Sequence, residues 1–208
     1  VNQLAQRLTD ARKLASAEGA KPHGQRDPKA AQAFSATAVE VLNQQSQLQR
    51  AIGARIGELN PAVRNTVSLG EFATTMRETA GNRSVYLTQY TGSGNKLTPL
   101  ALSDVDRLSG RVEQLWLLID QALHQMVTTP QLEAGLATAK TGFRDEENKT
   151  YGSMYAAARD GLPAPMSLSD WRPWTQKSLA TILQMRDAAF EQAKTQINAD
   201  LTAARWQL

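Results

Sequence analysis

Apolar residues recur at helical spacing through almost the whole chain, and residues 61–90 show both the rule and its exception. Wound at roughly 100° per residue, that stretch puts Leu69, Phe72, Met76, Ala80, Leu87 and Tyr90 on one face. Arg83 falls in the middle of the face and Arg77 at its edge. A guanidinium does not lose its proton, so inside a bundle it needs a carboxylate, several acceptors or a bound anion. A chain patterned this way packs helix on helix, and one of its helices must accommodate a cation.

Six helical segments are expected. The first covers about residues 1–18, with Leu4, Leu8, Ala11 and Ala15 at helical spacing, and a Gly-, Pro- and Asp-containing break follows at 18–28. The second runs from about 28 to 59, with Phe34, Ala38, Val41, Leu48, Ile52, Ile56 and Leu59 along one stripe. Asn60-Pro61 reads as an N-cap followed by proline at the first helical position, starting the third. That helix ends near Tyr90, before a Gly-Ser-Gly turn. The fourth, about 101–127, carries Val105, Val112, Leu115, Trp116 and Ile119, and Thr129-Pro130 redirects the chain into the fifth. After a break at 161–166, Ser169 is expected to cap a sixth helix continuing to Trp206, with Pro173 tolerated as a first-turn residue.

No alternating strand pattern interrupts this series, so the fold class is all-α. Short polar turns between long helices imply an elongated antiparallel bundle of four columns, with the first two segments stacked across their break. The 208 residues, 41% of them hydrophobic, suffice for one domain with a core, taken as residues 1–208. The net charge is only +3 and no run of like charges would track a phosphate backbone, so nucleic acid is not an expected partner. The absence of cysteine excludes disulfides and thiolate chemistry. No apolar run approaches the ~20 residues of a membrane span. Both ends lie within helical patterns, the expectation for a piece looped out between two membrane spans.

Chemistry is sparsely encoded. His124 stands in a His-Gln-Met-Val-Thr-Thr-Pro run that echoes a phosphoacceptor box, but Gln125 replaces the acid and Pro130 lies one place too far. His23 and His124 are the two histidines, and no carboxylate–histidine spacing supports a metal. No nucleophile, metal set or cofactor motif argues for an enzyme, and no cofactor is expected. Glu146 and Glu147 straddle the stripe formed by Leu132, Leu136, Ala139, Phe143, Thr150 and Met154. Either could close a buried ion pair with Arg83 that fixes helix register. The other possibility is a polar pocket in which Arg77 or Arg83 holds an anion, with Glu147, Tyr86, Trp116 and Trp171 in its lining. Trp174, Tyr90, Tyr151 and Tyr155 lie on the same helices and read as core.

Three segments together carry a resemblance: 76–83 (MRETAGNR), 110–118 (GRVEQLWLL) and 165–188 (PMSLSDWRPWTQKSLATILQMRDA). The first resembles the R-E-x-A-G-x-R signature of bacterial periplasmic helical sensor domains of the nitrate/nitrite-sensing type. The last is similar to the closing segment of such domains in histidine kinases, chemoreceptors and diguanylate cyclases. The likeness covers about residues 65–190. It implies a periplasmic domain between two flanking transmembrane helices of an inner-membrane receptor, binding a small molecule within the bundle. It also implies a homodimer, and a helix displacement relayed to a cytoplasmic output, a histidine kinase before others. By this resemblance Arg77 and Arg83 contact an anionic ligand. The alternative from the residues alone is a ligand-free structural or adaptor bundle with a buried Arg–Glu pair.

Overall fold

Three helix starts use one device. Asn60, Thr98 and Thr129 each precede a proline, and each side chain accepts a backbone N–H two or three residues on, from Ala62, Ala101 and Leu132 at 3.1, 3.2 and 3.3 Å. The cap satisfies an otherwise orphaned amide, and the proline removes another. In the computed structural model the elements are α1 (Asn2–Gly19), α2 (Pro28–Leu59), α3 (Arg64–Ser93), α4 (Pro99–His124), α5 (Pro130–Ala139), α6 (Gly152–Asp160) and α7 (Leu168–Arg205). The structure describes residues 2–205, leaving out the side chains of residues 2, 4, 23, 28, 147 and 148. Trp206, and the side chains of Leu4, His23 and Glu147, therefore lie outside the described residues.

The chain is all-α, without a strand among the described residues. It divides into two compact units, residues 1–54 and 55–208. In the first, Arg7 of α1 forms a two-pronged ion pair with Glu40 of α2, at 3.1 and 2.7 Å. Residues 7 and 40 are almost equidistant from the 20–27 turn, so α1 folds back beside α2 rather than stacking end to end on it. The apolar stripe of α2 is only partly covered, with Phe34, Ala38 and Val41 half-buried but Leu48 54% and Ile52 50% exposed.

The second unit supplies four columns by itself. α3 packs on α4 and α7, and α5 packs on α7. Successive columns, α5 and α6 forming one of them, are antiparallel and joined by short turns. Asn60 caps a 3-10 turn, Pro61–Val63, rather than α3 directly. Ser167, not Ser169, caps α7: its hydroxyl accepts the Asp170 N–H at 3.2 Å. Pro173 consequently sits at the sixth helical position, where its ring replaces the amide that would have bonded the Ser169 carbonyl. One end of the unit is closed by the Tyr90 hydroxyl donating to the Leu162 carbonyl and by Leu97 N–H donating to the Ala158 carbonyl at 3.4 Å. Gly161 turns the chain there with φ +73°, a conformation that costs residues with a Cβ.

The expected fifth helix is continuous but not uniform. Two π-helical segments, Lys140–Asp145 and Glu147–Tyr151, separate α5 from α6. Gly142 lies in the first of them, against α7, where a Cβ would stand 2.5 Å from Thr181 Cγ2. The Gly142 carbonyl accepts the Ser178 hydroxyl of α7 at 2.9 Å. No helix of the described residues is long and apolar enough to cross a membrane.

Candidate functional site

Among the described residues, the interior of the second unit holds three apolar cores, a small one about Val63, Val67 and Ala193 and two larger ones with polar groups between them. One larger core gathers Leu69, Met76, Ile119, Leu132, Ile182 and Met185; the other gathers Leu87, Tyr90, Val105, Met154 and Trp171. Arg83, 4% exposed, projects from α3 at the junction. Its guanidinium donates to the Ser109 hydroxyl of α4 at 3.2 Å and lies 4.0 Å from the centre of the Tyr151 ring. Burial lowers the proton affinity of Arg83, which the neighbouring Tyr151 and Glu113 partly restore. A guanidinium stacked on an aromatic face loses less on desolvation than an ammonium would, which suits arginine to this position.

Tyr151 is itself 6% exposed, and its hydroxyl makes no well-formed hydrogen bond among the described residues. Burial drives its acidity far down; the adjacent Arg83 cation and Ser109 hydroxyl offset part of that. A small cavity of about 10 Å³ lies beside these groups, lined by Arg83, Ser84, Tyr151, Trp174, Thr175 and Ser178 among others. That is room for a single water at most.

Because the folded-state value of Tyr151 is raised above the ordinary 10.0, the unfolded chain releases the phenolic proton first. Stability is therefore intact below that value and falls as pH rises above it, with a slope of about 1.4 kcal/mol per pH unit from this one group. Denaturant titrations of Tyr151→Phe through the alkaline range should show a slope flatter by about that amount. An unchanged slope would mean that the phenol ionises in place.

The other sequence-expected residues are dispersed. Arg77 is exposed, six residues before Arg83 on α3 and on a different face. Trp116 is buried and stacks on Phe143 at 6.4 Å, with the Arg144 guanidinium 5.4 Å from its ring. Its indole N–H has no acceptor among the described residues. Trp171, fully buried, donates instead to the Thr88 hydroxyl at 3.0 Å and stacks on Trp174 at 5.0 Å. Tyr86, half-buried, donates to Asp104 Oδ2 at 3.0 Å; this acceptor and burial push its acidity down. Tyr155 makes the parallel contact to Asp106 at 2.5 Å and is pushed up to about 12, by burial and then by that carboxylate. These two tyrosines clasp α3 and α6 to α4 rather than line the cavity. Glu146 is half-buried and accepts from the Thr150 hydroxyl at 3.5 Å. The Glu147 side chain lies outside the described residues.

Structure thus brings Arg83, Ser109 and Tyr151 together. Ser109 carried no sequence signal, since a serine beside Gly110 on a helix reads as solvent-facing or as a packing residue. No group of three or more potential metal ligands occurs among the described residues. Comparison with protein families, with curated proteins and with solved structures finds no match for this chain.

Proposed function

We propose that the chain is the extracytoplasmic sensing domain of a transmembrane signalling receptor, a histidine kinase before other outputs, responding to a small anion admitted at the Arg83 layer. The observation that carries this reading is the placement of a buried guanidinium opposite a π-helical stretch. Wide turns of this kind mark helices that can change register, and they concentrate at functional sites. An anion binding Arg83 would have to part α3 from the π segment, so it would favour one helix arrangement over another. That preference is what a signal requires, because a ligand bound equally by both arrangements shifts nothing. The resemblance of residues 76–83 and 165–188 to periplasmic sensors supports the same assignment, together with flanking membrane spans and a homodimer.

One observation favours a second reading. The cavity beside Arg83 holds about 10 Å³, far below a ligand pocket, as in a ligand-free structural bundle whose polar layer fixes register. Thermal unfolding with nitrate, short carboxylates and aromatic acids separates the two. A sensor melts higher with one of these anions, gaining about 2.7 kcal/mol at a hundredfold excess over the dissociation constant. Identical melting with every anion would leave the structural bundle.

A further inference from the structure

At the opposite end of the second unit from the Tyr90–Leu162 closure, three chain segments converge. The 3-10 turn leads into α3, α4 hands over to α5, and α7 passes beside both, leaving a cleft of about 610 Å³. That volume lies in the range of small-molecule sites, and the cleft shares no lining residue with the Arg83 cavity. Its wall carries four glutamines and three threonines against a single carboxylate, Glu191. No lysine, arginine, histidine or aromatic residue is among the described residues lining it. Glu191 is engaged by Lys194 at 3.1 Å.

Part of this wall is held in place. Gln192 Oε1 accepts from both the Thr129 N–H and its hydroxyl, at 3.0 and 2.9 Å, while Gln192 Nε2 donates to the Val127 carbonyl at 2.8 Å. The α4–α5 turn is thereby pinned to α7 before any ligand arrives. Thr66 is the informative exception on α3. Thr74, Thr75, Thr79, Thr88 and Thr91 each donate a hydroxyl to the carbonyl four residues back. Thr66 lines the cleft at only 4% exposure, and its hydroxyl enters none of the described hydrogen bonds. The carbonyl four residues before it belongs to Ala62, inside the tighter 3-10 turn.

We propose that this cleft is a second binding site, for a small neutral polyhydroxylated molecule of the saccharide class. Amide and hydroxyl side chains both donate and accept, as sugar hydroxyls do, so each can meet a hydroxyl without leaving a lone pair or proton unmatched. An anion would find no cation here to hold it, and an aromatic ligand no ring to stack on. A lipid tail would have to desolvate those of the amide and hydroxyl groups that Thr129, Gln192 and Asp200 do not already engage, without replacing their hydrogen bonds. The Thr66 hydroxyl, which enters none of the described hydrogen bonds, is free to bond such a partner without first breaking another contact.

The test is an NMR titration of the isotope-labelled 208-residue chain with glucose, galactose and arabinose, using glucuronate and glucosamine as charged counterparts. At least one neutral sugar should shift amide signals of residues 62–66, 125–131 and 191–196 more strongly than its charged counterparts do. Thr66→Val and Gln131→Ala should each weaken that binding about 3- to 10-fold, the loss of one hydrogen bond. Gln131 is exposed, so its variant keeps the fold even if Thr66→Val does not. The proposal is overturned if no neutral sugar shifts these signals at tens of millimolar, if glucuronate shifts them equally, or if Gln131→Ala binds like the parent.

Discussion

Trp171→Ala should destabilise the second unit by about 3–5 kcal/mol, the range for removing a fully buried tryptophan. Trp171 is 0% exposed and fixes the upper core in three ways. Its ring stacks on Trp174 and lies tilted against the Tyr151 ring with centroids 6.3 Å apart, and its indole N–H reaches Thr88. The Thr88 hydroxyl in turn donates to the Ser84 carbonyl at 2.9 Å, so the indole is the outer member of a chain of hydrogen bonds along α3. Truncation opens a side-chain-sized void and leaves Thr88 short of a donor. In a unit of this size the melting temperature should drop on the order of 10 °C. Trp171→Phe refills most of the void but still loses the N–H, so its loss should be smaller, and the difference between the two variants measures packing against hydrogen bonding. A loss below about 1 kcal/mol for Trp171→Ala, more typical of a surface change, would show that the upper core is not packed as described.

Helix positions were legible because their signals are local. Asn60-Pro61 and Thr129-Pro130 are caps whose mechanism operates within a few residues, and on the expected α4 stripe Val105, Val112, Leu115, Trp116 and Ile119 are buried while Leu108, Leu123 and Met126 are half-buried. The α2 stripe has equally good spacing and yet none of its named residues is fully buried, since periodicity reports an apolar face but not what lies against it. Ser167 displaced Ser169 as the α7 cap because two serines two residues apart compete for one role, and the fold of the preceding turn decides between them.

The candidate site was less legible, for a geometric reason. Wound as a regular α-helix, residues 132–154 place Thr150 on the buried stripe and Tyr151 off it. In the structure Tyr151 is buried and Thr150 is only half so. Each π turn closes its hydrogen bond one residue later than an α turn, so the face presented within residues 140–151 departs from the regular one, while Met154 and Ala157 beyond it stay buried. That local departure accompanies the Tyr151 ring lying against Arg83. Nothing in the composition of residues 140–151 announces it, apart from Gly142, whose lack of a side chain lets this stretch approach Thr181.

Arg83→Ala, by contrast, removes a residue the sequence did single out, and it should cost about 3 kcal/mol of stability. Among the described contacts the loss has three sources and one offset. The cation over the Tyr151 ring contributes up to about 2 kcal/mol when desolvated. The charge-assisted bond to Ser109 contributes a similar amount, and the void adds to both. Against these stands the release of a guanidinium from a site where burial is the largest influence on it. Arg77→Ala, on the exposed face of the same helix, should stay within about 0.5 kcal/mol of the parent. Chemical denaturation of the two variants therefore reads burial directly, and equal effects would contradict the placement of Arg83 between the cores. Arg83→Lys carries the argument to function. It keeps a positive charge but loses the planar fork that stacks on Tyr151 while bonding Ser109, so it should retain more stability than Arg83→Ala. A sensor whose anion sits on Arg83 would then lose its anion-dependent rise in melting temperature in a protein that is still folded. A rise preserved in Arg83→Lys and in Arg83→Ala alike would place the anion elsewhere and reduce Arg83 to a residue that sets helix register.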